Sequence, residues 1–502
     1  MARAVATVWL VLLVLVAGAA QADEAPANGL PASGLPARVA THHAITLGER
    51  RLGYDAIAET VPVIEATGAP TASIFTVSYL AEAAPGAMRR PVSFVFNGGP
   101  GAASVFLHLG ALGPRIMATP ETGAAPSPPV HLIDNPATWL AFTDLVFVDP
   151  VGTGFSRGLG KGDNPDKPFF DVHADLASLS AVVRLWLTRH QRWGSPIYLV
   201  GESYGGFRAA ALARTLPHQG AAAVNGVVLI SPALDLSMLR EGQRDLLAAA
   251  FYLPTYAATA AALDGRSADL PAIERFALSD YLVGLAALAG RPAGDDAFLA
   301  EVAAVVGLPG DIVRRYRGRV PRQVFAREIR RAQGEVVSLY DGTITRPAAP
   351  GDGDRRSSDP LLQPTAAAFG AAFNAYAADE LGYHTDLPYR VLAPDVSHEW
   401  NWQGARDGGG EGLAMASLET ALLDHPGTKV LIANGRFDLV TPYLASRWLI
   451  DQLPLPAATR AGVSLRVYDG GHMMYMRPQS RAALARDAAA VYSPPGASPP
   501  SQ

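Results

Sequence analysis

The run Gly201-Glu202-Ser203-Tyr204-Gly205-Gly206 carries the strongest chemical signal in the chain. A serine inside a G-x-S-x-G pattern is suited to act as a nucleophile when a strand precedes it and a helix follows it. Both flanks read that way here: Ile197-Tyr198-Leu199-Val200 is strand-like, and Phe207 to Leu216 is a helix-forming run. Small residues let strand and helix approach at the bend, and the helix N-terminus favours developing negative charge. A serine hydroxyl needs a general base, and the base needs an orienting carboxylate. Two late segments supply them. Val430-Leu431-Ile432 runs into a loop carrying Asp438, and Leu465-Arg466-Val467 runs into a glycine loop carrying His472. The order Ser203, Asp438, His472 is the one this strand–turn–helix arrangement uses. Asp469 lies too close to His472 in sequence to be its partner. Two N–H groups are needed for the oxyanion. One is that of Tyr204, directly after the serine. The other comes from the glycine loop Asn97-Gly98-Gly99-Pro100-Gly101, which follows the apolar run Val92–Phe96. The chemistry implied is acyl transfer through a covalent intermediate.

The elements that must position these residues are short apolar runs of strand type: 74–77, 92–96, 145–148, 197–200, 227–230, 430–432 and 465–467. Several are apolar on both faces, as strands of a helix-covered parallel sheet are. Helical runs separate some of them. Asp171 caps one that shows Leu176, Leu179, Val183 and Leu187 at helical spacing. The alternation predicts an α/β fold with a doubly wound, mostly parallel sheet. Catalytic residues would then emerge at the carboxyl ends of neighbouring strands. The rhythm breaks between residues 235 and 404, a mostly helical stretch that reads as a cap inserted between two core strands. Core segments are expected at 41–234 and 405–492. An Arg-rich patch within the insertion, from Arg314 to Arg331, reads as a solvated helix face rather than a ligand site.

The 502 residues carry 41 basic and 46 acidic side chains, a mild excess of −5 that gives no general attraction to nucleic acid or anionic membranes. Residues 1–22 have the form of a signal peptide: Arg3, an apolar core from Val8 to Val16, and a small-x-small site at Ala20-Gln21-Ala22. The expected mature protein is periplasmic or secreted and free of the membrane once cleaved. Residues 23–40 and 493–502 read as a flexible leader and a disordered tail. The chain has no cysteine, which excludes disulfides, thiol catalysis and Cys-based metal sites. No His-Glu-x-x-His or Walker loop is present, so no metal or other cofactor is expected.

Four segments in order resemble the serine carboxypeptidase family of α/β-hydrolases: Asn97-Gly98-Gly99-Pro100-Gly101, Pro150-Val151-Gly152-Thr153-Gly154-Phe155-Ser156, Gly201-Glu202-Ser203-Tyr204-Gly205-Gly206 and Gly471-His472-Met473. The resemblance implies a peptide substrate and removal of its C-terminal residues through an acyl-enzyme. It also implies that Asn97, Gly98 and Glu202 recognise the terminal carboxylate, with Glu202 protonated. Gly99 and Tyr204 would be the oxyanion donors. The chain departs from the family pattern at Ala111, where a second glutamate often precedes Leu112-Gly113-Pro114, and at Ala102 and Ala103, where the family has cysteine. These departures point to a divergent bacterial branch. Other readings on the same fold are an esterase, an acyltransferase or a proline aminopeptidase-like hydrolase. A non-catalytic binding protein on this scaffold would not need an intact set of Ser203, Asp438 and His472.

Overall fold

The structure is a computed structural model. It describes residues 35–493 apart from 66, 84–85, 87, 240–244, 289–295, 351, 353–357 and 403–411. The expected signal peptide, most of the leader and nearly all of the tail therefore lie outside the described residues.

One large sheet organises the chain. Its strands run in the order Arg38–Leu47, Arg50–Ile64, Pro70–Ala81, Asp144–Val148, Val92–Phe96, Ile197–Glu202, Val224–Ile230, Lys429–Gly435 and Val463–Tyr468. The first three pair antiparallel, and the third also pairs antiparallel with Asp144–Val148. From Asp144–Val148 onward every pairing is parallel. Strands Val92–Phe96, Asp144–Val148 and Ile197–Glu202 are buried throughout, which is why they read as unbroken apolar runs rather than alternating ones. All seven strand runs expected from the sequence fall inside these strands.

The first hairpin was not legible. Arg38–Leu47 alternates exposed and half-buried residues and buries only Ile45, so it offers little apolar signal. Its first residues correct the boundary of the leader. Arg38, Val39 and Ala40 already pair with Glu59, Ala58 and Ile57, and Leu35 is fully buried.

The insertion divides into parts with different partners. Helices between Leu246 and Glu328 form an apolar cluster of their own, joined to the core through Leu439, Tyr443 and Leu444. Helix Leu362–Asp379 instead packs Phe369, Phe373 and Tyr376 into the main core beside Phe106 and Phe147. Between them, the hairpin Glu335–Val337 and Thr345–Pro347 presents a loop, Ser338 to Ile344, to the sheet's carboxyl edge.

Strand order reverses at Val92–Phe96. The chain leaves it to reach Asp144–Val148 on one side and later returns to Ile197–Glu202 on the other. Open α/β sheets place their sites at such a switch point. Here it brings the loop at Asn97 beside the bend at Ser203, since Phe96 is in register with Gly201. A buried arginine binds the two together. Arg208, fully buried on helix Tyr204–His218, pairs through Nε and Nη2 with both carboxylate oxygens of Asp175 at 2.7 and 3.2 Å. Its Nη1 donates to the Asn97 carbonyl at 2.6 Å. Asp175 lies on helix Val172–Arg189, capped by Asp171 as expected. Removing one partner of such a pair strands the other charge in the interior. Arg208→Met is therefore expected to destabilise the protein by about 3–5 kcal/mol in denaturant unfolding. Adding Asp175→Leu to that variant is expected to recover part of the loss.

Candidate active site

Ser203 occupies a backbone conformation that side-chain-bearing residues avoid, φ 59° and ψ −125°. Such a residue costs about 1–3 kcal/mol and persists only where its surroundings over-determine it. They do so here. The Ser203 N–H donates to the Ile230 carbonyl at 3.0 Å, and the Ser203 carbonyl accepts from Gly206 and Ala233 at 2.9 and 3.0 Å. The bend is tight enough that only glycine fits around it. A Cβ at Gly201 would lie 1.9 Å from the Gly205 carbonyl oxygen, and one at Gly205 would lie 2.2 Å from that of Phe96. The Ser203 side chain is half-buried, and its hydroxyl makes no hydrogen bond to the described residues.

Asp438 and His472 come together as the sequence anticipated. Strands Lys429–Gly435 and Val463–Tyr468 end side by side, and each delivers a loop. His472 Nδ1 donates to Asp438 Oδ2 at 2.8 Å, both groups buried. With Nδ1 engaged, Nε2 is the nitrogen available for proton transfer. The other carboxylate oxygen accepts from the Val440 and Thr441 N–H groups at 2.8 and 2.9 Å. The Thr441 hydroxyl lies 2.6 Å from Oδ2. Burial works against the charged imidazole, but Asp438 and Glu202 outweigh it, so the histidine titrates above its ordinary value.

Three residues not singled out from the sequence hold this pair. The Ser231 hydroxyl donates to the His472 carbonyl at 2.8 Å, and the Ser231 carbonyl lies 3.0 Å from the Thr441 hydroxyl. Tyr340, from the insertion's loop, accepts the His472 N–H at 2.5 Å through its carbonyl and sets its ring edge-on to the imidazole. In the same loop, Leu339 accepts from Leu439, and Gly342 donates to Phe437. A second part of the insertion latches the early glycine loop: Ala103 N–H bonds Val391, and Ala393 N–H bonds Gly101. Nothing in the local sequence of these segments marks them, because their partners are remote in sequence, as Gly101 is from Ala393.

The early loop places Asn97, Gly98 and Gly99 against the bend. A Cβ at Gly98 would lie 2.5 Å from the Tyr204 nitrogen, so the two backbones are in contact. Gly99 has φ +98° and precedes a cis bond to Pro100. Among the described residues neither its N–H nor that of Tyr204 donates to the protein. Asn97 accepts from the Leu107 N–H at 3.0 Å through Oδ1, which turns its amide nitrogen to Glu202 Oε2 at 2.5 Å. Glu202 is buried. Burial pushes its carboxyl up to about 7 against the opposing pull of His472, Tyr475 and Asn97. Tyr475, also missed from sequence, donates to Oε2 at 2.8 Å. Ala111 is buried, and its carbonyl accepts from Asn135 at 2.9 Å; no carboxyl comes from that position. Among the described residues no cluster of three His, Asp or Glu side chains could hold a metal ion.

A family model described as serine carboxypeptidase matches residues 68–242. Over that stretch, about a third of the chain, it is similar to the serine carboxypeptidase family. The matched stretch holds the early glycine loop and the Ser203 bend, whereas Asp438 and His472 lie beyond it and rest on the geometry above. Serine carboxypeptidase-like 8 of Arabidopsis thaliana is 29% identical over 134 residues, 25% of this chain and 28% of that protein. Serine carboxypeptidase-like 38 of the same plant is 30% identical over 176 residues, 33% of this chain and 34% of that protein. These matches span about a third or less of each relative. In overall shape the chain is similar to Kex1(delta)p, a prohormone-processing carboxypeptidase from Saccharomyces cerevisiae. The TM-score is 0.51 at 13% identity, covering 91% of this chain and 92% of that one, a likeness of fold. The chain therefore has an α/β-hydrolase fold.

The hydrogen bond to Asp438 orients the imidazole and favours its charged form. Asp438→Asn is expected to lower kcat by about 10⁴-fold and to bring the acid limb of the pH–rate profile, which reports His472, to lower pH. Steady-state kinetics across pH on a chromogenic ester would read both.

Proposed function

We propose that this chain is a secreted or periplasmic serine-type carboxypeptidase that removes C-terminal residues from peptides through an acyl-enzyme. The observation that carries the reading is Glu202, a buried carboxyl beside the Ser203 bend that is held by Asn97 and Tyr475 and pushed up to about 7 by burial. A protonated carboxyl can donate to a peptide's terminal carboxylate, whereas an ionised one would repel it. Asn97 and Gly98 flank it as further contacts for that carboxylate, which would seat the last peptide bond at Ser203.

In this reading His472 Nε2 takes the Ser203 proton as the hydroxyl oxygen attacks the scissile carbonyl. The oxyanion is met by the N–H groups of Gly99 and Tyr204 at the start of helix Tyr204–His218. His472 then passes the proton to the leaving amine, and the C-terminal residue departs. Water, activated by the same imidazole, hydrolyses the acyl-enzyme and returns Ser203 to its hydroxyl form. Asp438 holds the imidazole in the required tautomer and stabilises its charged form. Export rests on the signal-like pattern of residues 1–22.

Ser203→Ala is expected to abolish hydrolysis while leaving the thermal transition in place. Mass spectrometry of wild-type peptide digests should show a ladder shortened from the C-terminus, and amidating that end should slow cleavage strongly. Equal rates on free and amidated peptides would instead favour an esterase or endopeptidase.

Two titrations shape the pH profile. His472 must be neutral to act as base, so kcat/KM rises with pH as the imidazolium loses its proton. Glu202 must be protonated to bind the chain end, so kcat/KM on free-carboxylate peptides falls as pH rises through about 7. Glu202→Gln has the donor and acceptor pattern of the protonated acid. Its KM for free-carboxylate peptides is expected to stay within about tenfold of wild type at acidic pH, without the increase above neutrality. Initial rates across pH on paired free and amidated peptides would test this.

A further inference from the structure

Glu202 has two donors, and both point at the same oxygen. Asn97 Nδ2 and the Tyr475 hydroxyl converge on Oε2, at 2.5 and 2.8 Å. Oε1 has no partner among the described residues and keeps contact with solvent. The Asn97 amide cannot turn to accept, because its oxygen is held by the Leu107 N–H. A proton on Oε2 would therefore face an N–H group. On Oε1 it meets no donor.

We propose that Tyr475 is a positioning residue for chain-end recognition: by bonding Oε2 alongside Asn97, it reserves Oε1 as the proton-bearing oxygen and turns it toward a peptide's terminal carboxylate. The inference rests on the carboxypeptidase reading and adds a residue to it. It also accounts for Ala111. The sequence has Ala111 where the family often has a second glutamate, and in this chain a phenol from the histidine's own loop bonds Glu202.

Tyr475 is built for this place. It is fully buried in the short helical turn Met474–Met476, three residues after His472. Its ring packs so closely on Gly110 that a Cβ there would lie 2.9 Å from it, and Arg481 Nη1 donates to its carbonyl at 3.2 Å. Burial and the neighbouring Glu202 hold its phenol well above the ordinary tyrosine range, so it remains a donor. One loop thereby sets both the base and the carboxyl that recognises the chain end. The other titratable groups whose fields couple to Glu202 are His472, Asp438 and Tyr340. None of these is bonded to Oε2.

The test is Tyr475→Phe, which keeps the ring and removes the donor. A hydrogen bond to a carboxylate favours its ionised form, so losing it shifts the Glu202 titration upward, by about one pH unit. The band of the protonated acid, assigned by its loss in Glu202→Gln, can be followed by infrared difference spectroscopy across pH. Kinetically, KM for free-carboxylate peptides is expected to rise about tenfold with a smaller change in kcat, and the alkaline limb to move to higher pH. An acid band titrating at the same pH as in wild type overturns the role of Tyr475. So does an equal loss of kcat/KM on free and amidated peptides. If wild type itself does not distinguish free from amidated ends, the carboxypeptidase reading fails. If it does distinguish them while the variant's titration is unmoved, only the inference about Tyr475 fails.

Discussion

The unfavourable backbone angle at Ser203 is the constraint around which the site is assembled. A strand must end, turn and become a helix within one residue, with the serine side chain on the outside of the bend. That geometry requires near contact between backbones at Gly201, Gly205 and Phe96, so the strand before the early loop and the strand before the serine have to be neighbours. Hydrogen bonds to Ile230 and Ala233 extend the requirement to the next strand. Three adjacent parallel strands are therefore fixed by one strained residue.

Charge holds this arrangement together below the surface. Arg208 reaches from the helix after the bend to the Asn97 carbonyl, and its own charge is balanced by Asp175. A buried ion pair is weak as a general source of stability, because desolvation offsets attraction. Its value here is geometric: it couples the loop that carries the carboxyl's partner to the helix that begins at the nucleophile. A second buried acid, Glu202, sits beside the same loop, where burial pushes its carboxyl up to about 7 and its hydrogen bonds come from Asn97 and Tyr475. The two acids differ in what surrounds them, a guanidinium in one case and neutral donors in the other.

The insertion belongs to this machinery as well as covering it. One part clamps the loops bearing Asp438 and His472 through backbone bonds from Leu339, Tyr340 and Gly342. Another pins the early glycine loop through Val391 and Ala393. A purely lid-like segment would touch the site at its rim. These contacts are made to the main chain of the loops bearing Asp438, His472 and Gly101.

Much was legible before any coordinates. Strands buried on both faces announce themselves as unbroken apolar runs, and the glycine-flanked serine, the Asn97 loop and the glycine loop at His472 each have local chemistry that restricts them to few roles. The order of Asp438 and His472 along the chain was enough to pair them. The half-exposed first hairpin escaped because an edge strand that buries a single apolar residue has no such pattern. Arg208, Ser231, Tyr340, Thr441 and Tyr475 escaped for a different reason. Each acts through contacts that include a residue distant in sequence, and a polar residue in the chain looks the same whether or not it has such a partner. The sequence by itself determined which reactive residues were available: a serine in a glycine-flanked bend, an aspartate and a histidine after it in that order, and an early glycine loop. Only the tertiary structure decided which oxygen of Glu202 is held and which is left open, because hydrogen-bond direction depends on where side chains meet.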